Sequence, residues 1–116
     1  MTAGYLLAAP DRIVPNLGPI LEEQGISYEI EYMKECDHEM HVIDLTSVIC
    51  RSGKTRVGMG IEKRRGGKGV DIVLAPECRS FFRRDFDSEK LAEKIAAILC
   101  RHGASNQPHA RCEGLE

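Results

Sequence analysis

The chain has no excess of either charge. Its 16 Lys and Arg against 18 Asp and Glu leave a formal net charge of −2. That balance supplies no bulk attraction to nucleic acid or to an anionic membrane. There is no long apolar run either. Nothing approaches the roughly 20 residues that cross a bilayer, and Met1 to Pro10 is too short for a secretory leader. A cytoplasmic protein is expected. Cysteines are present without a pattern: Cys36, Cys50, Cys78, Cys100 and Cys112 are an odd five with no C-x-x-C spacing. A disulfide framework or a zinc ribbon needs even counts or short spacings. Cys50 and Cys100 read instead as small buried hydrophobes. A nucleophile–base–acid set is also missing, since Ser47, Ser52 and Ser80 lack the elbow motif that activates a serine. The expectation is a non-catalytic binding or assembly subunit.

What is present is enough for one domain with its own core in 116 residues. Residues 1–104 read as that domain. Residues 105–116 are polar, lack periodicity and read as a mobile tail. The most informative stretch runs from Leu17 to Tyr32. Ile20 and Leu21 supply a buried stripe, Glu22, Glu23 and Gln24 form a polar last turn, and Gly25 suits the left-handed position after a helix. Tyr28, Ile30 and Tyr32 then alternate with Glu29 and Glu31, the pattern of a strand with one apolar face. Carboxylates at the negative end of a helix dipole are locally unfavourable. Glu22 and Glu23 are therefore candidate partner-facing residues, against the plainer reading of two solvated helix formers.

The other elements follow in order. Tyr5 to Ala9 reads as a buried strand, and Asp11 as the cap of a helix carrying Ile13, Leu17, Ile20 and Leu21 on one face. Pro19 should kink that helix or delay its regular part. Asp37 to Cys50 reads as a second helix, with Met40, Ile43, Leu45, Val48 and Ile49 as its apolar set. Thr55 to Glu62 is a strand with Val57, Met59 and Ile61 on one side. Gly58 and Gly60 on the other side leave room for a packed helix. The turn from Lys63 to Gly69 is too short for a parallel crossover, so Val70 to Ala75 should return antiparallel. Ser80 to Arg83 reads as a brief strand. Asp87-Ser88-Glu89 opens a last helix with Leu91, Ile95, Ile98 and Leu99 as its stripe and Gly103 as its stop. Strands separated by helices form parallel neighbours. The predicted fold class is α/β: a three-layer α/β/α sandwich around a mixed sheet with one antiparallel strand.

Two clusters carry possible chemistry. Cys36-x-His38-x-x-His41 gathers three soft ligands, yet a tetrahedral site wants a fourth ligand and a supporting shell, and a solvated helix start is the plainer account. Lys63, Arg64, Arg65 and Lys68 among glycines form a candidate anion-binding tip. It lacks the Walker order and any interleaved aromatic for base stacking, so a charged hairpin tip is the plainer account here too.

Three local signatures together resemble one family. They are Leu21-Glu-Glu-Gln-Gly-Ile26, Arg51-Ser-Gly-Lys-Thr-Arg-Val-Gly-Met-Gly-Ile61, and the strand ending Leu74-Ala-Pro76. With the expected element order they resemble the small (β) subunit of the reactivating factors for adenosylcobalamin-dependent diol and glycerol dehydratases. That family is itself similar to the medium subunit of those dehydratases. The likeness spans about Tyr5 to His102. It implies a five-stranded mixed sheet in an anticodon-binding-domain-like sandwich. It also implies a large ATPase subunit and dehydratase subunits as partners, and cobalamin that belongs to the client enzyme. Glu23 would help hold a magnesium ion shared with the large subunit, consistent with a hard cation's need for carboxylate oxygen. The setting implied is cytoplasmic, with association to a bacterial microcompartment. The region after Pro76 departs from the family by its basic Arg79, Arg83 and Arg84. The alternatives are the dehydratase medium subunit, which the short chain disfavours, and a small RNA- or nucleotide-binding module using Lys63, Arg64 and Arg65.

Overall fold

The computed structural model describes residues 4–38, 41–80 and 83–106. Its sheet is antiparallel throughout, in the order β2-β3-β4-β5-β1-β8. The strands are β1 (Tyr5–Ala9), β2 (Ser27–His38), β3 (His41–Ser52), β4 (Thr55–Arg64), β5 (Val70–Pro76) and β8 (Ser105–Asn106). A separate ribbon pairs β6 (Cys78–Ser80) with β7 (Arg83–Arg84). Two helices, α1 (Leu17–Glu22) and α2 (Phe86–Arg101), complete the described elements, with a 3-10 turn at Asp11–Asn16 before α1.

The three-layer sandwich with a mixed sheet is therefore corrected to two layers, helices on one face of an antiparallel sheet. The decisive difference is Asp37 to Cys50, expected as a helix. Its carboxy-terminal part is β3, in register with β2 from Ser27↔Arg51 to His38↔His41. The stretch in which Ile43, Leu45, Val48 and Ile49 suggested a helical stripe is rich in β-branched residues, Val42, Ile43, Thr46, Val48 and Ile49, which suit a pleated surface. Among the described residues of that run, Val48 and Cys50 are the fully buried ones, two residues apart, and that spacing is the strand period.

Removing that helix changes the topology. From β2 to β5 the chain runs as a meander, turning between Ser52 and Thr55 through Gly53 (φ 64°) and between β4 and β5 through Gly66 and Gly69. The β4–β5 hairpin forms as expected, from Val57↔Pro76 to Glu62↔Asp71. β1 then pairs antiparallel with β5, from Tyr5↔Leu74 to Ala9↔Val70. β1 and β2 do run the same way, as a helix between strands suggests, but β5, β4 and β3 lie between them. At Gly69, a side chain would meet the carbonyl oxygen of Ala9 at 2.7 Å, and φ is +81°, so only glycine fits this approach of hairpin to β1.

The core lies between the helices and one sheet face. Leu7, Ile72, Leu74, Val57, Met59, Val48 and Cys50 meet Ile13, Leu17 and Leu21 from the first helical segment and Leu91, Ile95, Ile98 and Leu99 from α2. α1 packs on β2, and α2 packs on β4, β5 and β1. Both helices end in the same six-residue closure. Ile26 N–H donates to Leu21 and Gly25 N–H to Glu22, each at 3.0 Å, while Ala104 donates to Leu99 and Gly103 to Cys100. Gly25 and Gly103 take positive φ there, as expected of helix stops.

The helix starts differ from expectation. Asp11 caps nothing; Pro10 occupies the cap position without a side-chain bond, and Asp11 pairs with Lys63 instead. The regular helix is delayed to Leu17, the effect expected of Pro19. In α2 the cap is Asp85, whose carboxylate accepts from Ser88 N–H at 3.1 Å. Ser88 is fully buried. Its hydroxyl donates to the Arg56 carbonyl and accepts from Glu77 N–H at 2.8 Å, fastening α2 to the start of β4 and the end of β5.

Candidate functional site

Two halves of the sheet are finished differently. β4, β5 and β1 carry α2 on one face. β2 and β3 extend past the helices as a wing, and β2 forms one edge of the sheet. The other edge, among the described residues, is β8. β2 is 12 residues long, and no described strand of the sheet lies on its outer side.

The wing carries exposed apolar side chains on both faces. Ile30 is 51% exposed, Tyr32 49% and Met33 70%. Cross-strand partners share a face, so the register sorts them. Ile30 sits opposite Val48 and Met33 opposite Thr46, on the side that faces the helices elsewhere. Glu29 opposite Ile49, Tyr32 opposite Ser47 and Lys34 opposite Leu45 lie on the open side. Ile30 and Met33 share a face although three residues apart, because the register shifts between Ile30 and Tyr32. Glu31 is the inserted residue, and its carboxylate accepts from the Ser47 hydroxyl at 3.0 Å. The Lys34 ammonium lies 5.6 Å from the centre of the Tyr32 ring.

On the open face Gly58 and Gly60 alternate with the buried Val57, Met59 and Ile61. No helix packs there among the described elements, so the expectation that these glycines admit a helix is corrected. Leu45 leans toward Gly60 instead, 3.8 Å from where a side chain would begin. A depression of about 240 Å³ is lined by Cys36, Asp37, Ile43, Leu45 and Glu62.

The basic tip is largely neutralised by acids of its own chain. Lys63 donates to both Asp11 carboxylate oxygens at 2.8 Å and to the Gly67 carbonyl at 3.1 Å. That bond and charge hold the Asp11 carboxyl below its usual range. Arg65 bonds Asp44 at 3.2 Å and also Glu35, tying the tip to the wing and raising its own pKa further. Among the described residues no ion pair is made by Arg64 or Lys68, which line a cleft of about 290 Å³. Glu62 and Asp71 line the same cleft, so it has no clear preference for an anion. Sequence reasoning saw four cations here; the pairing with Asp11, Glu35 and Asp44 needed the fold.

Glu22 and Glu23 are exposed at the end of α1, one its last residue and the other its cap. No group of three or more His, Cys, Asp and Glu able to hold a metal forms among the described residues. Two adjacent exposed carboxylates supply part of a magnesium shell, the remainder of which would come from water or another chain. His38 and His41 are paired in the β2–β3 register, so the helix start expected for Cys36, His38 and His41 does not form. The positions of the Arg79, Arg83 and Arg84 side chains and of residues 107–116 lie outside the described residues. No described helix is long and apolar enough to cross a membrane.

No family model matches the chain, and no curated protein or solved structure matches it.

Proposed function

We propose that this chain is a binding and assembly protein that works through the outer edge of β2. The observation that carries the reading is the combination found there: a long strand with no neighbour on its outer side among the described residues, bearing Ile30, Tyr32 and Met33 exposed. Unpaired edges are templates for another strand, and soluble proteins usually shorten, cover or bend them away. Partners that add a strand gain main-chain hydrogen bonds for affinity and side-chain fit for specificity.

Of the resemblance to dehydratase-reactivating factors, the partner-binding role is the part this geometry supports. The assignment to that family also drew on an order of elements the chain does not have, and it is not the reading proposed. The two are separable by mutation. Ile30→Lys with Met33→Lys should abolish co-elution of the natural partner and leave the thermal midpoint nearly unchanged, because both side chains are exposed. Glu23→Ala should leave co-elution intact. Retained co-elution in the lysine variant, with loss in Glu23→Ala, would move the working surface to the end of α1.

A further inference from the structure

We infer that the strand β2 accepts is β2 of a second copy, paired antiparallel about a two-fold axis through the Glu31 bulge. The inference rests on the reading of β2 as the working edge and names its occupant.

The bulge sets the register. In a regular strand, neighbouring residues point to opposite faces, so two copies related by a two-fold can pair a residue only with another of the same parity. The inserted Glu31 reverses parity along β2, so residues on either side of it pair across the axis only in registers that a regular strand forbids. Centring the axis between Glu31 and Tyr32 places Ile30 of each copy opposite Met33 of the other. Both side chains lie on the helix side of the sheet and are exposed in the single chain. The same register places Glu29 opposite Lys34, both on the open side. Symmetry makes each match twice.

Neighbouring registers lose these matches. Sliding one copy by two residues puts Ile30 against Glu31 or Glu35 and leaves an apolar side chain facing a carboxylate. β2 carries Glu29, Glu31, Glu35 and Asp37 with a single Lys34. These charges blunt indiscriminate pairing of the edge, and of the three registers compared only the one centred between Glu31 and Tyr32 sets Ile30 against Met33.

The test is sedimentation of the full chain over a range of concentrations, with charge-swapped variants. Wild type should dimerise. Lys34→Glu and Glu29→Lys should each weaken the dimer by about tenfold or more, since each sets like charges opposite each other twice. Mixed together, the two variants should associate again, because each then supplies the charge the other needs, and a misfolded variant could not show this. A chain that stays monomeric at its highest soluble concentration, or a dimer indifferent to both swaps, would overturn the inference. In that event, loss of a co-eluting partner in the Ile30→Lys, Met33→Lys variant would still uphold β2 as a working edge for a different protein. Retention would remove both.

Discussion

The two halves of this sheet have the same alternating pattern and opposite fates. In β4 and β5, one face of each strand is sealed by α2, and Val57, Met59, Ile72 and Leu74 are buried. In β2 the same alternation continues past the helices, and Ile30 and Met33 remain in solvent. The pattern states which face is apolar; only the placement of helices decides whether that face belongs to the core. An apolar strand residue is evidence of folding in the first half and of association in the second.

The largest test of this contrast is to truncate one side chain in each half. Leu74→Ala should cost about 2–5 kcal/mol in urea unfolding, because it leaves a void among fully packed neighbours. Met33→Ala, at a similar place on its strand but 70% exposed, should stay within about 0.5 kcal/mol for the monomer. Comparable losses at the two positions would mean that the wing is buried by something within the chain.

A smaller effect is expected at the bolt of the covered half. Ser88→Ala removes the partner of both the Glu77 N–H and the Arg56 carbonyl and should cost about 1–3 kcal/mol. A thermal melt reads this directly. Ser88→Thr retains the hydroxyl and should recover much of the loss where the extra methyl is accommodated, separating the hydrogen bonds from mere packing.

How much of this was legible beforehand divides along the same line. Gly25 and Gly103 as helix stops, the delaying effect of Pro19 and the β4–β5 hairpin depend on nearby residues, and they were readable. The assignment of Asp37 to Cys50 was not, because Val48, Ile49 and Leu45 fit a helical stripe as well as a two-sided strand. Strand length offered a clue: a run of Val42, Ile43, Thr46, Val48 and Ile49 is costly in a helix by its branching. Ordering β1 beside β5 needed contacts far apart in sequence. The candidate site divides in the same way. The alternation of Tyr28, Ile30 and Tyr32 was visible, but the bulge that brings Ile30 and Met33 to one face was not, and neither was the neutralisation of Lys63 and Arg65.

The smallest effect compares two cysteines on the paired strands of the wing. Cys50, on β3, faces the core and is fully buried; Cys36, on β2, lies partly exposed opposite Ile43. Burial pushes the Cys50 thiol up to about 12 from an ordinary value of 9.0, because a thiolate there would lose its hydration. The thiolate is the reactive form. At mildly alkaline pH, alkylation followed by peptide mapping should mark Cys36 and the exposed Cys100 while sparing Cys50 until the chain unfolds. The same shift predicts a pH dependence of stability. The unfolded thiol loses its proton from about pH 9 and the folded one only near 12, so the unfolded state binds fewer protons in between and stability falls as pH rises. Cys50→Ala should remove that part of the decline. Labelling of Cys50 at the rate of Cys36 under native conditions would show that α1 and the wing open together, and that the boundary between the two halves lies nearer to β4.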